Sequence, residues 1–391
     1  MADLIWRNAT LLAKKEGTEG TANAPAAGDA ILCSALEAKL QRDWHSRAYM
    51  GSVGERPGVI GAQTGPGLSF QTEIKGNGTT NTPEIDELLE SAFGLVSTGT
   101  GSSTITTGAS TTSLPLASGT NFTVGNLVMV ETATADVYES AMITVVSGAT
   151  LTITPALSFT PADGADVKEM RTYQIAVPPS GVNSLTCDVF YNADSGAGQF
   201  DRFVGCHPSA LKWDSPRAGA IPMLSWELLA WNWAQSVAGT RPTPTYDTAS
   251  PKAALASKLK IGATLTDVFD LSWDLGLVTV PKVSQNSTLG IYGTPIVDVN
   301  PKGSFKIHPA HTSVAHFTGW TAETAVTLLQ QVGNALFGTV AWYCPQALRR
   351  EVARQDDGGV QAEEIQWDAT VQDDALATAT GQDAALYFAV G

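Results

Sequence analysis

Alternating apolar and polar residues predict β-strands in much of the chain. The alternation is clearest over residues 68–74 and 269–275, where apolar and polar side chains take turns. Such a pattern buries one face of a strand and leaves the other in water. Apolar runs bounded by turn residues predict further strands at 127–130, 141–146, 151–153, 335–343, 365–371 and 385–390. The chain is therefore expected to be mainly β.

Helical spacing of apolar residues occurs in two convincing segments. The first helix is predicted to start at Thr82 and Pro83, which suit a cap and a first helical position, and to end at Gly94. The second is predicted to begin near Thr321 and to end at Gly333. Their apolar stripes are Ile85, Leu88, Leu89, Ala92 and Phe93 in the first, and Ala325, Leu328, Leu329 and Val332 in the second.

A change of composition near residue 97 predicts a domain boundary. Twelve of the 17 residues in 97–113 are serine or threonine, which is typical of a linker. Short predicted strands follow, and every tryptophan and cysteine of the chain lies outside 97–170. Residues 97–170 are therefore expected to form a small inserted β-domain with its own core.

Outside this insert, the order of predicted elements occurs twice. Residues 67–70 and residues 303–307 each begin a series of strand, loop, helix and further strands. Repeated element order is typical of a duplicated architecture. The sequence thus predicts a first unit made of residues 1–96 and 171–250, and a second unit made of residues 251–391.

The overall charge disfavours tight binding to nucleic acid. The 391 residues include 38 acidic and 23 basic side chains, for a formal net charge of −15 at pH 7. Tight DNA binding needs a basic face that releases counterions. The chain has neither a basic, apolar leader nor an apolar stretch long enough to span a bilayer, so membrane insertion is not expected.

A search for catalytic or metal-binding patterns indicates neither an enzyme nor a cofactor. His308, His311 and His316 lie close together, but their spacing matches no zinc motif. Phosphate-binding glycine motifs and the nucleophile elbow are absent from the sequence. The four cysteines are widely spaced, which favours free thiols over disulfides.

Several stretches resemble one family of structural proteins. They are residues 11–21 (LLAKKEGTEGT), 203–211 (FVGCHPSAL), 336–345 (LFGTVAWYCP) and 356–360 (DDGGV). With the element order around them, they resemble the tail tube (major tail) proteins of long-tailed, non-contractile bacteriophages. The insert departs from that pattern and resembles small β-domains on the outer surface of phage tails.

The resemblance implies a duplicated tail-tube fold, in which each unit is a β-sandwich or barrel with a flanking helix. Such units assemble into stacked rings around a channel that delivers DNA without binding it tightly. Two units in one chain imply a trimeric ring of pseudo-sixfold symmetry, with a hexameric ring as the alternative. The implied partners are further copies of the chain, a tape-measure protein and tail-terminator or tail-tip proteins. The implied location is the tail of the virion, after synthesis in the host cytoplasm.

Two groups of residues are candidates for roles in such a tube. Residues 40–65 are expected to form a long loop without its own structure that bridges stacked rings, with Arg42, Trp44, Arg47 and Arg56 as its candidate contacts. Asp270 and Asp274 lie on one face of a predicted strand and are candidates for an acidic channel lining. The insert is expected to lie outside the tube and to be dispensable for it.

Two other functions are compatible with the composition. A β-rich adhesin or capsid decoration protein would share the threonine-rich composition but need not form hollow polymers. A polysaccharide hydrolase with a β fold would need two carboxylates that flank the bond to be cleaved and a groove lined with aromatic side chains. The form in which the purified chain assembles separates these possibilities.

Overall fold

The fold is mainly β, with 53% of residues in strands and 5% in helices. The computed structural model describes residues 5–40, 42–47, 56–63, 65–76, 78–175, 182–192, 197–215, 219–254, 257–309, 315–370 and 384–391.

The elements follow one another in this order. Up to residue 97 they are β1 (Ile5–Lys15), a 3-10 turn (Ala27–Asp29), β2 (Ala30–Ile31), β3 (Cys33–Lys39), β4 (Arg42–Arg47), β5 (Arg56–Gln63), β6 (Gly67–Glu73), α1 (Asp86–Phe93) and β7 (Gly94–Ser97). The next six are β8 (Ser102–Thr104), β9 (Ser113–Pro115), β10 (Leu127–Glu131), β11 (Tyr138–Ser147), β12 (Thr150–Thr154) and β13 (Asp166–Glu169). Then come β14 (Arg171–Ile175), β15 (Leu185–Asn192), β16 (Ala197–Ser215), β17 (Met223–Leu229) and β18 (Asn232–Thr240). The last are β19 (Lys258–Ile261), β20 (Thr264–Thr266), β21 (Val268–Asp274), β22 (Leu277–Thr279), β23 (Ile296–Val299), β24 (Lys302–Ile307), α2 (Ala315–Thr321), β25 (Val326–Val332), β26 (Val340–Asp357), β27 (Val360–Ala369) and β28 (Tyr387–Val390).

Eight antiparallel strands form a broad sheet, which we call the wide sheet. Their order is β3-β6-β17-β16-β21-β24-β27-β26. Its inner face carries large apolar side chains, among them Trp213 and Trp273, which stack with ring centroids 6.0 Å apart. Phe388 of β28 packs edge-on against both tryptophans, so the core lies between the wide sheet and the layer that contains β28 and α1.

Two long strands connect these layers. In β16, residues 197–204 pair with β18 and residues 207–214 pair with β17 in the wide sheet. Gly205 lies at this change of partners with a φ of +66°, and a Cβ there would come within 2.8 Å of Trp231. A residue with a side chain would be both strained and crowded at this position. In the same way, β26 pairs with β28 through residues 340–343 and with β27 through residues 347–357.

The pairing pattern of the first half of the chain occurs again in the second half. The first set pairs β3 with β6, β6 with β17, β17 with β16, β16 with β15 and β18, and β15 with β1. The second set pairs β21 with β24, β24 with β27, β27 with β26, β26 with β25 and β28, and β25 with β19. The two sets meet edge to edge through β16 and β21.

One predicted helix is confirmed, although it begins at Asp86 and not at Thr82 and Pro83, and the other is wrong. Helix α1 ends at Gly94, whose φ is +90°, and buries Leu88, Leu89, Ala92 and Phe93. The second helix, α2, is short and lies before the predicted segment, whereas the predicted stripe belongs to strand β25. Residues 328–332 of β25 are all buried, because the strand packs in the main core and its Gln331 contacts the small sheet. A strand buried on both faces has no alternation, and its apolar residues matched helical spacing by coincidence.

Residues 102–169 form a separate six-stranded sheet, which we call the small sheet, in the order β8-β13-β10-β11-β12-β9. One of its faces has its own hydrophobic cluster, including Val128, Ile143 and Val167. The prediction of a linker over residues 97–113 is wrong, because this segment supplies strands β8 and β9 and the buried Ile105. Serine and threonine are tolerated there because β-branched threonine suits a half-exposed strand.

The other face of the small sheet packs on the rest of the molecule. Leu127, Met129, Tyr138 and Met142 belong to the main hydrophobic cluster rather than to that of the small sheet. The side chain of Gln331 in β25 accepts a hydrogen bond from the backbone of Ser140 at 2.7 Å and donates one to the carbonyl of Tyr138 at 2.8 Å. Because of these contacts, the small sheet is docked firmly, which argues against the expectation that the segment is dispensable.

Candidate functional site

The outer face of the wide sheet is polar and forms a shallow groove of about 600 Å³. Alternation along β21 explains why one face of the wide sheet is apolar and the other is polar. Leu271 and Trp273 face the core, whereas the groove is lined by Asp270, Ser272 and Asp274. Asp270 and Asp274, the two sequence candidates for a channel lining, thus lie on the same polar face.

Acidic side chains outnumber basic ones on this face. The charged residues that line the groove and its two neighbouring depressions are Glu37, Asp214, Glu227, Asp270, Asp274, Glu364 and Asp368, against Lys212, Lys302, Lys306 and Arg350. With seven carboxylates and four cations, the lining of these three depressions is net acidic. The burial of Asp214 and the nearby charge of Asp270 raise the pKa of Asp214.

Several of these charges pair across strands. Lys306 lies 3.2 Å from Asp270, Lys212 lies 3.8 Å from Asp274, and the Arg350 guanidinium lies 3.8 Å from Asp368. All six side chains are at least 29% exposed, so each pair contributes at most about 1 kcal/mol to stability. The lysines and arginine are therefore held beside carboxylates, which reduces their availability to a passing polyanion.

The wide sheet ends in two edges to which no described strand is paired. At one end, β3 pairs with β6 only. At the other end, β26 pairs with β27 through residues 347–357, and its pairing with β25 stops at Ala347. Strand edges with unpaired backbone groups are templates for pairing with another chain. Sequence patterns did not reveal these edges, because an edge is defined by long-range pairing.

The four candidates of the predicted bridging loop lie in a hairpin. Strand β4 contains Arg42, Trp44 and Arg47, strand β5 begins at Arg56, and the two strands pair antiparallel. The expectation of a loop without its own structure is therefore wrong. In this hairpin Trp44 is the register partner of Ile60, and His45 is that of Val59. The orientations of the four candidate side chains lie outside the described part of the structure.

Each strand set has a long connection between its first two strands in the wide sheet. Residues 40–66 connect β3 to β6, and residues 275–301, of equal length, connect β21 to β24. The second connection, residues 275–301, contains the β22–β23 pair and folds over the first strand set. There the indole of Trp231 donates to the carbonyl of Ile291 at 2.8 Å, and the hydroxyl of Thr294 donates to the carbonyl of Gly205 at 2.9 Å.

No protein-family model matches this chain, and no curated protein sequence matches it significantly.

The described residues do not support the hydrolase alternative in the groove. Trp213, Trp273 and Trp367 border the groove but are at most 2% exposed, so they offer no surface on which a sugar ring can stack. Across the described ranges, no three histidine, cysteine or carboxylate side chains converge as a metal site. None of the described helices is long and apolar enough to cross a membrane.

The cysteines in the described ranges are free thiols. Cys187, Cys206 and Cys344 are buried, and Cys33 is partly buried at the start of β3. Burial raises the pKa of Cys344 to about 12, and burial together with the charge of Glu84 raises that of Cys33 to about 12. Because the thiolate is the reactive form, we expect these two thiols to react slowly with alkylating reagents near pH 8.

Proposed function

We propose that this protein is a structural subunit that assembles into stacked rings and forms a hollow tube, as in the tails of long-tailed bacteriophages, through which DNA is delivered. The observation that carries the proposal is the double strand pattern. Two strand sets are joined edge to edge, and no described strand pairs with the outer side of β3 or with the outer side of β26 beyond Ala347. Further copies of the chain that pair with both edges and close the sheet into a ring would satisfy the unpaired backbone groups.

In this proposal the chain consists of two tube units and an inserted domain. The first unit comprises residues 1–96 and 171–250, and the second comprises residues 251–391. Residues 97–170, which include the small sheet, form an inserted β-domain on the outside of the tube. The matching pair patterns of the two strand sets support the duplication, and they favour a trimeric ring with pseudo-sixfold symmetry over a hexameric one.

The polar face of the wide sheet is the proposed channel wall. With seven carboxylates and four cations, this face has no continuous basic surface that could bind the phosphates of duplex DNA. Repulsion between this face and phosphate is screened within about 8 Å at physiological salt, so it acts only near contact. Tape-measure and tail-terminator or tail-tip proteins are the partners that the family resemblance implies.

We expect the purified chain to form rings and tubes without a cofactor. Sedimentation velocity at increasing protein concentration should show species larger than the monomer, and negative-stain microscopy should show hollow tubes of constant diameter. A stable monomer at high concentration with no tubes would contradict the proposal. It would favour the alternative of an adhesin or capsid decoration protein.

The channel proposal predicts the effect of reversing charge on the wide sheet. In a double variant with Asp270→Lys and Ser272→Lys, we expect tubes to retain duplex DNA at low salt, because each added lysine docked on a phosphate releases a counterion. The variant with Asp163→Lys and Thr160→Lys makes the same charge change on the exposed surface of the small sheet and should not retain DNA. Filter binding at several salt concentrations measures the difference. Tight duplex binding by wild-type tubes at physiological salt would contradict the proposed lining.

A further inference from the structure

The junction inside the wide sheet gives a template for the contact between copies. Strand β16 pairs with β21 so that Lys212 lies opposite Asp274 and Asp214 lies opposite Ser272. The amide of Leu275 extends this ladder by donating to the carbonyl of Leu211 at 2.9 Å. Leu275 is fully buried at this junction.

The positions of β16 have counterparts in β26. A bulge in the β15–β16 pairing lies between Leu185 and Cys187, and the β25–β26 pairing has a bulge between Val326 and Leu328. A second bulge follows Pro208 in β16 and Arg349 in β26. Both bulges fall 141 residues later in the second set. Leu211 thus corresponds to Val352, and Lys212 corresponds to Ala353.

The positions of β21 have counterparts in β3 by the same reasoning. Ser69 in β6 and Ser304 in β24 occupy equivalent positions. Ser69 pairs with Glu37 of β3, and Ser304 pairs with Ser272 of β21. Lys39 therefore corresponds to Asp274, and Leu40 corresponds to Leu275. The burial of these two leucines differs, because Leu275 is fully buried at the internal junction whereas Leu40 is 46% exposed beside an open edge.

The two open edges also carry opposite charges at matching places. Lys39 ends β3 and Glu351 lies in β26, and both side chains are exposed. No ion pair of either side chain is found within the described residues. If β26 met β3 in the register of the internal junction, Ala353 would lie opposite Lys39 and Glu351 would be its diagonal neighbour. Diagonal neighbours in an antiparallel pair are within reach of long side chains.

We infer that the β26 edge of one copy pairs antiparallel with the β3 edge of the next copy, with Ala353 opposite Lys39 and Gln355 opposite Glu37. In this register the amide of Leu40 donates to the carbonyl of Val352, Leu40 becomes buried, and Lys39 pairs with Glu351. The inference rests on the proposed self-assembly and adds to it the two edges, their direction and their register. The occupant of each edge is a second copy of this chain, since the internal junction already joins the same two kinds of edge.

Charge reversal tests the pairing of the two edges. We expect Lys39→Glu and Glu351→Lys each to lower the assembled fraction by about tenfold at low salt, because like charges then meet across the junction. The double variant restores the attraction and should assemble like the wild type. Lys302→Glu and Glu227→Lys, which change exposed charges within the same sheet away from its edges, are the matched controls and should assemble normally.

Disulfide formation tests the register. Assembled chains with Lys39→Cys and Ala353→Cys should oxidise to covalently linked rings, since this pair lies at a non-hydrogen-bonded position, where Cβ atoms are closest. Chains with Lys39→Cys and Arg354→Cys are the control, because adjacent residues of a strand face opposite sides of the sheet.

The outcomes separate the register from self-assembly itself. Wild-type tubes whose edge variants all assemble normally, or which cross-link equally at both cysteine pairs, would overturn the register and leave the proposed function standing. A wild-type chain that stays monomeric would overturn both. Linked rings from the first cysteine pair alone, together with rescue in the double charge variant, would support the inference.

Discussion

Replacing Glu139 with glutamine should lower the free energy of unfolding by about 3–5 kcal/mol. The carboxylate of Glu139 in the small sheet lies 2.6 Å from the ammonium of Lys260 in β19, and the two side chains are only 1% and 2% exposed. Glutamine removes the negative charge but keeps the shape, so the buried ammonium of Lys260 loses the attraction of this carboxylate. Chemical denaturation of the full chain measures the loss.

Two further variants show whether burial is the cause. Asp270→Asn breaks the exposed pair with Lys306 and should cost at most about 1 kcal/mol. The double variant with Glu139→Gln and Lys260→Met removes both buried charges and should recover part of the loss. If Glu139→Gln unfolded at the same denaturant concentration as the wild type, the buried pair would not contribute as described.

Replacing residues 98–170 with a short glycine-serine linker, which keeps Ser97 and Thr172 paired, should still lower the stability of the rest of the protein. The deletion uncovers core residues that pack against Met129, Tyr138 and Met142, and it removes the contacts that Lys260 and Gln331 make with the small sheet. We expect the thermal midpoint to fall by roughly 10 °C. Differential scanning calorimetry of the wild type and the deletion variant measures the change.

A repaired deletion distinguishes docking from a general folding defect. Adding Lys260→Met and Gln331→Leu to the deletion removes the two polar side chains whose contacts with the small sheet are lost, and this should recover part of the thermal midpoint. A simple deletion with an unchanged midpoint and normal tubes would show that the small sheet is independent, as its composition alone predicts.

The sequence predicted those elements whose two faces differ. Residues 68–74 and 269–275 alternate because one face of the wide sheet is buried and the other is wet, and both segments are strands. The same alternation placed Asp270 and Asp274 together on the polar face. Helix α1 was predictable for a similar reason, since its apolar stripe faces the core and Gly94 ends it.

The sequence failed where the environment is set by distant residues. Strand β25 is buried by the main core and by the small sheet, whose contacting residues are far away in the chain, so local spacing favoured a helix. The partners of the small sheet in β19 and β25 lie more than 100 residues from it, and no local pattern reveals them. The open edges of β3 and β26 depend on which strands do not meet, and a linear pattern carries no information on that.

The covalent joint between the two strand sets has a consequence for how a ring would grow. In the proposed ring, half of the edge-to-edge joints lie within a chain, where the effective concentration of one partner for the other does not depend on dilution. Mass action then governs only the remaining joints, so fewer encounters complete a ring than with single-unit subunits. Because the two halves are one chain, they can carry different surfaces. Among the described elements, the small sheet occurs only in the first half.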